Sequence, residues 1–329
     1  MDLDVVFLGT AGSMPTAQRA PSSLLVRRGG ERILVDCGEG TQRQLLRSSV
    51  GLIELREVFI THYHADHYLG LPGMLKTFAL RGRDLPITIY GPPGLRDLFS
   101  ALRRIFGKLT YPYDLVELRP GDVLARGDYE LGVFAVRHGV SAVGYSLAEG
   151  DRPGRFDVAA ADALSVPSGP ERGALQLGEP VVLPDGATVR PEQVLGPPRP
   201  GRKVVLAGDT AFAETVVEAA RGADLLVHEA TFCEEERDRA DETSHSTAAD
   251  AAQVAATADV SMLAVTHLSP RYFGPDVADE ARAIFPETVV PRDFDVIEVP
   301  FSERGAPRLL KGAVAPAKRQ AETAPAEVS

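Results

Sequence analysis

Short apolar runs recur along the chain, and most stop at a polar or glycine residue before a longer mixed segment begins. Asp4-Val5-Val6-Phe7-Leu8-Gly9 is the first, residues 22–28 the second and Arg32-Ile33-Leu34-Val35-Asp36 the third. Runs of this length and composition predict β-strands. Further strands are predicted at 56–61, 87–90, 113–118 and 129–137, then at 203–207, 224–228, 262–266 and 294–299. Helical texture lies between them. One segment starts near Gly40, with Leu45 and Leu46 apolar among Gln and Arg; others cover 70–80, a stretch ending near 106, 212–221 and 275–285. Thr247 to Thr257 opens on a Thr247-to-Asp250 capping pattern. Strand, polar end residue and helix thus alternate in both halves, which predicts an α/β sandwich of two sheets flanked by helices.

One stretch breaks the rhythm. From about 150 to 203 Gly and Pro are dense, as in Arg152-Pro153-Gly154-Arg155 and Gly196-Pro197-Pro198-Arg199-Pro200-Gly201. Inside it, Val181-Val182-Leu183, Pro184-Asp185-Gly186 and Ala187-Thr188-Val189 predict a hairpin. So long an irregular segment within a compact domain is either functional or a linker. After 305 the chain turns Ala/Pro/Lys/Glu-rich, which predicts a disordered tail over 306–329.

The residues that close the strands carry the chemistry. Val58-Phe59-Ile60 leads into Thr61-His62-Tyr63-His64-Ala65-Asp66-His67, which places three imidazoles and a carboxylate within six residues. Neutral imidazole and carboxylate suit zinc, manganese or iron. His62 and His64 can point together where the strand loosens into a loop, and Asp66 and His67 can face a second metal beside the first. The chain has only seven His. His138, His228 and His267 follow or end apolar runs, whereas His245 sits in the polar Thr243–Thr247 loop. Val204-Val205-Leu206-Ala207-Gly208-Asp209 repeats the design with a carboxylate. Ligands drawn from distant strand ends are what a metal site on the edge of an α/β sandwich requires. The Gly9–Thr16 loop is rich in glycine and small residues; it is either an ordinary tight turn or a place where backbone N–H groups approach an anionic substrate.

Composition narrows the class. At 329 residues and 44% hydrophobic, the chain can bury a substantial core as one large domain or two small ones. No run of about 18 apolar residues predicts a membrane span, and the N-terminus reads as a strand rather than an export signal. Cys37 and Cys233 show no paired spacing and read as reduced thiols, which predicts a cytoplasmic protein. The net charge of −11 argues against a nucleic-acid partner. A local basic patch beside bound cations can still hold phosphates, and Arg43, Arg47, Arg152, Arg155 and Arg202 are candidates for that role.

H-x-H-x-D-H after a strand, a distant His, a strand-ending Gly-Asp-Thr and a later His resemble the metallo-β-lactamase superfamily. Within it the chain is most similar to the ribonuclease Z family over about residues 3–300. The opening Phe-Leu-Gly-Thr-Ala-Gly-Ser-Met-Pro-Thr, the Val-Asp-Cys-Gly-Glu-Gly-Thr-Gln turn, His228-Glu229-Ala230-Thr231-Phe232, His245-Ser246-Thr247 and Thr266-His267-Leu268-Ser269-Pro270-Arg271-Tyr272 carry the likeness. It implies a four-layer αβ/βα sandwich of the metallo-β-lactamase type over 1–305, with 150–203 as an inserted flexible arm that grips tRNA. It also implies two Zn2+ per subunit. His62, His64 and His138 would hold one, Asp66, His67 and His267 the other, and Asp209 would bridge them. Asp66 would also orient or deprotonate the nucleophile, and His245 would be the proton donor.

The activity implied is endoribonucleolytic removal of the 3′ trailer from precursor tRNA, leaving a 3′-hydroxyl and a 5′-phosphate, by a homodimer with no membrane partner. Two departures stand out. Ala17 and Ala20 occupy loop positions where relatives carry Lys and Asn, which leaves discrimination against CCA-containing precursors open. Pro170-Glu171-Arg172-Gly173 stands where relatives have an apolar, lysine-rich stretch. A small-molecule hydrolase of the superfamily, an arylsulfatase or cyclic phosphodiesterase, would share the ligands but has no reason to carry the arm. A non-enzymatic RNA-binding protein would not need the intact ligand set.

Overall fold

The computed structural model describes residues 1–52 and 55–315. In chain order, β1 (Leu3–Gly9), β2 (Ser23–Arg28), β3 (Glu31–Val35), β4 (Glu57–Phe59), β5 (Ile87–Gly91) and β6 (Tyr113–Glu117) build most of one sheet. β7 (Val123–Ala125), β8 (Tyr129–Ala135) and β9 (Val143–Glu149) begin the second sheet. A separate hairpin, β10 (Val181–Val182) and β11 (Thr188–Val189), follows. β12 (Lys203–Leu206), β13 (Leu225–Glu229), β14 (Met262–Thr266) and β15 (Thr288–Val289) complete the second sheet, and β16 (Val296–Glu298) and β17 (Arg308–Leu310) return to the first. The strand orders are β17-β16-β1-β2-β3-β4-β5-β6 and β15-β14-β13-β12-β9-β8-β7. The helices are α1 (Thr41–Arg47), α2 (Ala65–Tyr68), α3 (Gly70–Leu80), α4 (Leu95–Phe106), α5 (Val158–Ala163), α6 (Pro170–Gln176), α7 (Glu214–Ala220), α8 (Arg237–Thr243), α9 (Ala248–Ala258) and α10 (Gly274–Arg282).

Strand alternation explains the four layers. Val5 and Phe7 of β1 meet Val204, Leu206, Leu225 and Val227 between the sheets. The intervening Val6 and Leu8 face outward onto Leu45 of α1, Met74 and Leu75 of α3 and Phe99 of α4. On the other side, Val205, Leu226 and Leu263 pack against Val216, Val217, Ala251, Val254 and Val277 of α7, α9 and α10. Strands covered on both faces must be apolar at successive positions, which is why they read as continuous runs. β9 lacks such a run because Gly144 and Ser146 interrupt it. A Cβ at Gly144 would lie 2.3 Å from the Phe134 ring, so only glycine admits that aromatic across the pair.

Two regions differ from their sequence texture. Residues 150–203 form a small module with its own apolar cluster of Ala161, Val166, Leu175, Val181, Leu183, Val189 and Val194. Its helices are six and seven residues long, too short to give a periodic signal, whereas β10 and β11 form the hairpin predicted over 181–189. Backbone bridges Arg152–Arg199 and Phe156–Leu195 close its base. There Gly154 crosses so close to Gly196 that a Cβ would lie 1.9 Å from the Gly196 carbonyl oxygen.

The composition after 305 predicts a structureless tail, yet β17 pairs with β16. Leu309 reaches the core between the sheets and Leu310 the helix-side core. Two adjacent leucines suffice for one more strand inside a polar, biased segment. The remainder of the predicted tail, 316–329, lies outside the described residues.

Candidate active site

β3, β4 and β5 run parallel, as do β12 to β15. Their C-terminal ends meet along one edge of the sandwich, the usual location of sites in open α/β sheets. Asp36 follows β3, His62 follows β4, Asp209 follows β12, Glu229 ends β13 and His267 follows β14. Asp36 and His267 have φ of 59° and 57°, a left-handed turn as each chain leaves its strand.

Two clusters result, and they share one oxygen. His62 Nε2 lies 3.0 Å from His64 Nδ1, which lies 3.1 Å from His138 Nε2. His67 Nε2 lies 3.3 Å from His267 Nε2, and Asp66 Oδ2 is 3.5 Å and 3.2 Å from these two nitrogens. Asp209 Oδ2 is 3.3 Å from His67 Nε2, 3.3 Å from His267 Nε2 and 3.7 Å from His62 Nε2. Zinc–nitrogen bonds of about 2.0–2.1 Å in a tetrahedral site put neighbouring ligand atoms about 3.3 Å apart. Both groups could therefore each hold one ion.

The far sides of the rings say where the protons are. His67 Nδ1 donates to Asp36 Oδ2 at 2.7 Å, and His138 Nδ1 donates to the Ser244 carbonyl at 3.0 Å. The Thr61 hydroxyl donates to Asp36, so its oxygen accepts from His62 Nδ1 at 3.1 Å. The Thr231 hydroxyl donates to Glu229 at 2.5 Å, so it accepts from His267 Nδ1 at 2.8 Å. Each of these rings thus turns an unprotonated Nε2 into the site. Lone pairs converging at about 3 Å repel one another unless a cation lies between them, and such outward hydrogen bonds are the usual support of metal-ligating histidines. Burial pushes His62 down to about 2, so its ring stays neutral.

His245 stands beside the clusters, its Nδ1 4.0 Å from Asp209 Oδ2. That nitrogen lies 2.7 Å from Glu229 Oε1, and Glu229 is buried and also accepts from the Thr210 N–H at 2.8 Å. Burial disfavours the imidazolium, but the Glu229 carboxylate outweighs it and lifts His245 to about 9. The structure thus brings His62, His64, Asp66, His67, His138, Asp209, His245 and His267 together. Sequence reasoning did not assign roles to Asp36, Thr61, Glu229 or Thr231, the groups that orient the rings. The available signal was a carboxylate at the end of β3 and of β13, repeating the Asp209 design.

Other candidates resolve differently. His228 is buried on the helix side of β13, its Nδ1 2.8 Å from the Glu229 carbonyl oxygen, and does not reach the cluster. In the glycine loop, the Ser13 N–H donates to Asp66 Oδ2 at 2.9 Å rather than standing free for an anion. Gly12 is required there, since a Cβ would lie 2.6 Å from the His267 carbonyl oxygen. Arg152 and Arg202 are occupied by Glu303 and Glu149. Burial pushes the Cys37 and Cys233 thiols up to about 12, which leaves neither as a nucleophile.

A four-layer αβ/βα sandwich with a His/Asp cluster at the strand ends defines a protein of the metallo-β-lactamase class, and the family model described as the metallo-beta-lactamase superfamily matches residues 17–83. The chain is 47% identical over 308 residues to a ribonuclease Z of Haloferax volcanii, covering 92% of this chain and 97% of that one. It is 43% identical over 303 residues to a ribonuclease Z of Methanosarcina acetivorans, covering 91% and 99%. Among solved structures, human tRNase Z, short form, superposes with a TM-score of 0.64 at 28% identity over 90% of this chain and 99% of that one. The chain belongs to the ribonuclease Z family.

Proposed function

We propose that this protein is a metal-dependent endoribonuclease that removes the 3′ trailer from precursor tRNA by phosphodiester hydrolysis, leaving a 3′-hydroxyl on the tRNA and a 5′-phosphate on the trailer. The observation that carries the reading is a pair of ligand clusters meeting at Asp209 Oδ2 with a carboxylate-backed imidazole alongside. In this reading His62, His64 and His138 would hold one Zn2+ and Asp66, His67 and His267 a second, with Asp209 available to both. Two ions bound there would supply Lewis-acid charge for the phosphate oxygens and activate a water near neutral pH.

The chain's own groups do the rest. Asp66, fixed by the Ser13 N–H, orients the attacking water and can take its proton. His245 keeps Nδ1 on Glu229, which leaves Nε2 to hand a proton to the departing 3′-oxygen; general acid catalysis of this kind contributes roughly 10²–10⁴-fold. The 150–203 module contributes none of the clustered residues, which supports its role as an RNA-holding arm remote from the cut bond. The reading includes a homodimer, with the arm of one subunit serving the site of the other, and a cytoplasmic location, supported by two unpaired thiols. Among the described residues no helix is long and apolar enough to cross a membrane.

The test is incubation of the zinc-loaded protein with a 3′-extended precursor tRNA and mapping of the product ends. One cut at the 3′ trailer junction with the stated termini is expected. A zinc-loaded protein that leaves the precursor intact while hydrolysing small esters would overturn the reading in favour of a small-molecule hydrolase.

A further inference from the structure

Charge is unevenly placed in this protein. Residues 70–108 carry seven Lys and Arg against two Asp, a net of +5 in a chain whose total is −11, so the remainder carries −16. The 150–203 module holds seven cations and seven carboxylates and is neutral. Four of its arginines are already paired: Arg152 and Arg199 with Glu303, Arg172 with Asp162, and Arg202 with Glu149.

The positive excess sits on two helices that pack together, α3 and α4. Both start beside the histidine loop. α3 begins three residues after His67, and α4 follows a turn whose Pro92 carbonyl accepts from the Tyr63 hydroxyl. The cations gather at the far ends: Arg81 caps α3, Arg103 and Arg104 lie in the last turn of α4, and Lys108 follows it. At about 1.5 Å per residue, helices of eleven and twelve residues place these groups about 16–18 Å from the loop. All four are exposed, and among the described residues none has a carboxylate within 4.0 Å. Cations near helix C-termini complement the helix dipole. That effect accounts for their position at the helix ends. It does not account for four of them standing free of the described acids in a chain with eleven more carboxylates than cations.

We propose that the C-terminal ends of α3 and α4 form a phosphate-binding face that grips the RNA duplex running away from the cut bond. The proposal rests on the endoribonuclease reading above. The occupant is a structured RNA, because the face lies too far from the site for a single nucleotide diester to reach both. Neutralising its phosphates releases counterions and gives salt-dependent affinity, so the face acts on binding and leaves the chemical step to the site. The neutral module then holds its part of the RNA without supplying most of the charge.

The test compares the metal-loaded wild type with Arg103→Gln/Arg104→Gln/Lys108→Gln, and with Arg155→Gln/Arg190→Gln in the module. For the triple variant, KM for a 3′-extended precursor tRNA should rise roughly tenfold, and the slope of log Kd against log salt should become shallower by about 2–3. Its kcat, its hydrolysis of bis(p-nitrophenyl) phosphate, its circular dichroism and its sedimentation should be unchanged, and the module variant should lose less. An unchanged slope in the triple variant, or a larger loss in the module variant, overturns the proposal. The two readings fail separately. A wild type that binds the RNA with a steep salt slope but never cuts it removes the endoribonuclease reading, whereas the shallower slope of the variant would still establish the face.

Discussion

Asp36→Asn changes two atoms' worth of hydrogen bonding behind the proposed metal site and leaves shape and volume alone. The Asp36 carboxylate is buried and accepts from the Thr61 N–H at 2.8 Å, the Thr61 hydroxyl at 2.9 Å and His67 Nδ1 at 2.7 Å. Its φ of 59° is one that asparagine tolerates and alanine does not, so Asn is the clean substitution. An amide has one acceptor oxygen. If that oxygen serves His67, the NH2 group faces the Thr61 N–H; if it is flipped, the NH2 faces His67 Nδ1.

Either way a buried donor loses its acceptor, which costs roughly 1–3 kcal/mol of fold stability. Loss of the charge also weakens the preference of His67 for turning an unprotonated Nε2 into the site, and metal affinity should fall roughly 10–100-fold. Chelator competition measures the affinity, and urea unfolding of the metal-free protein measures the stability separately. An Asp36→Asn protein that binds zinc as tightly as wild type would refute the claim that Asp36 sets the ring.

Removing His245 with His245→Ala should retain both metals and lower kcat roughly 10²–10⁴-fold; loss of zinc in that variant would mean that a ligand has been taken for an acid. Glu149 stands between Arg28 and Arg202, the three side chains only 5%, 5% and 2% exposed, and Glu149→Gln should cost roughly 3–5 kcal/mol by stranding Arg202, whereas Arg28 keeps Asp128 at 2.6 Å. Burial would raise Glu149, but Arg202 and Arg28 hold it below its ordinary value. Its stabilisation is therefore complete above about pH 4.3 and fades as pH falls through the folded value, so wild type and Glu149→Gln should converge in acid unfolding. Deleting about Pro153 to Pro198 with a short Gly/Ser bridge should spare the metals and any small-diester hydrolysis and cut precursor-tRNA cleavage by orders of magnitude; equal loss on both substrates would make the module a support of the fold.

The clustered residues were legible because chemistry and position coincide in them. His62, His64, Asp66 and His67 crowd six residues after an apolar strand, and Asp209 and His267 end runs of the same kind. The groups behind them were not legible, since one carboxylate at a strand end looks like any other. Asp36 meets His67 31 residues away and Glu229 meets His245 16 residues away, and only the closing of the sheet edge pairs them. Layer order followed from alternating strands and helices, but β9 was hidden by Gly144 and Ser146, and of the 150–203 module only the hairpin showed, its helices being less than two turns long. The Leu309-Leu310 pair gave too little apolar sequence to mark β17.

The most direct test of the central claim is metal content and precursor-tRNA cleavage measured on the same samples of wild type and Asp209→Ala. Wild type should carry two zinc ions per chain and cut the 3′ trailer. The variant, folded by circular dichroism, should lose metal and cleavage together, because Asp209 Oδ2 is the oxygen both clusters share. A folded Asp209→Ala protein that keeps two zinc ions and cuts at the wild-type rate would contradict the account.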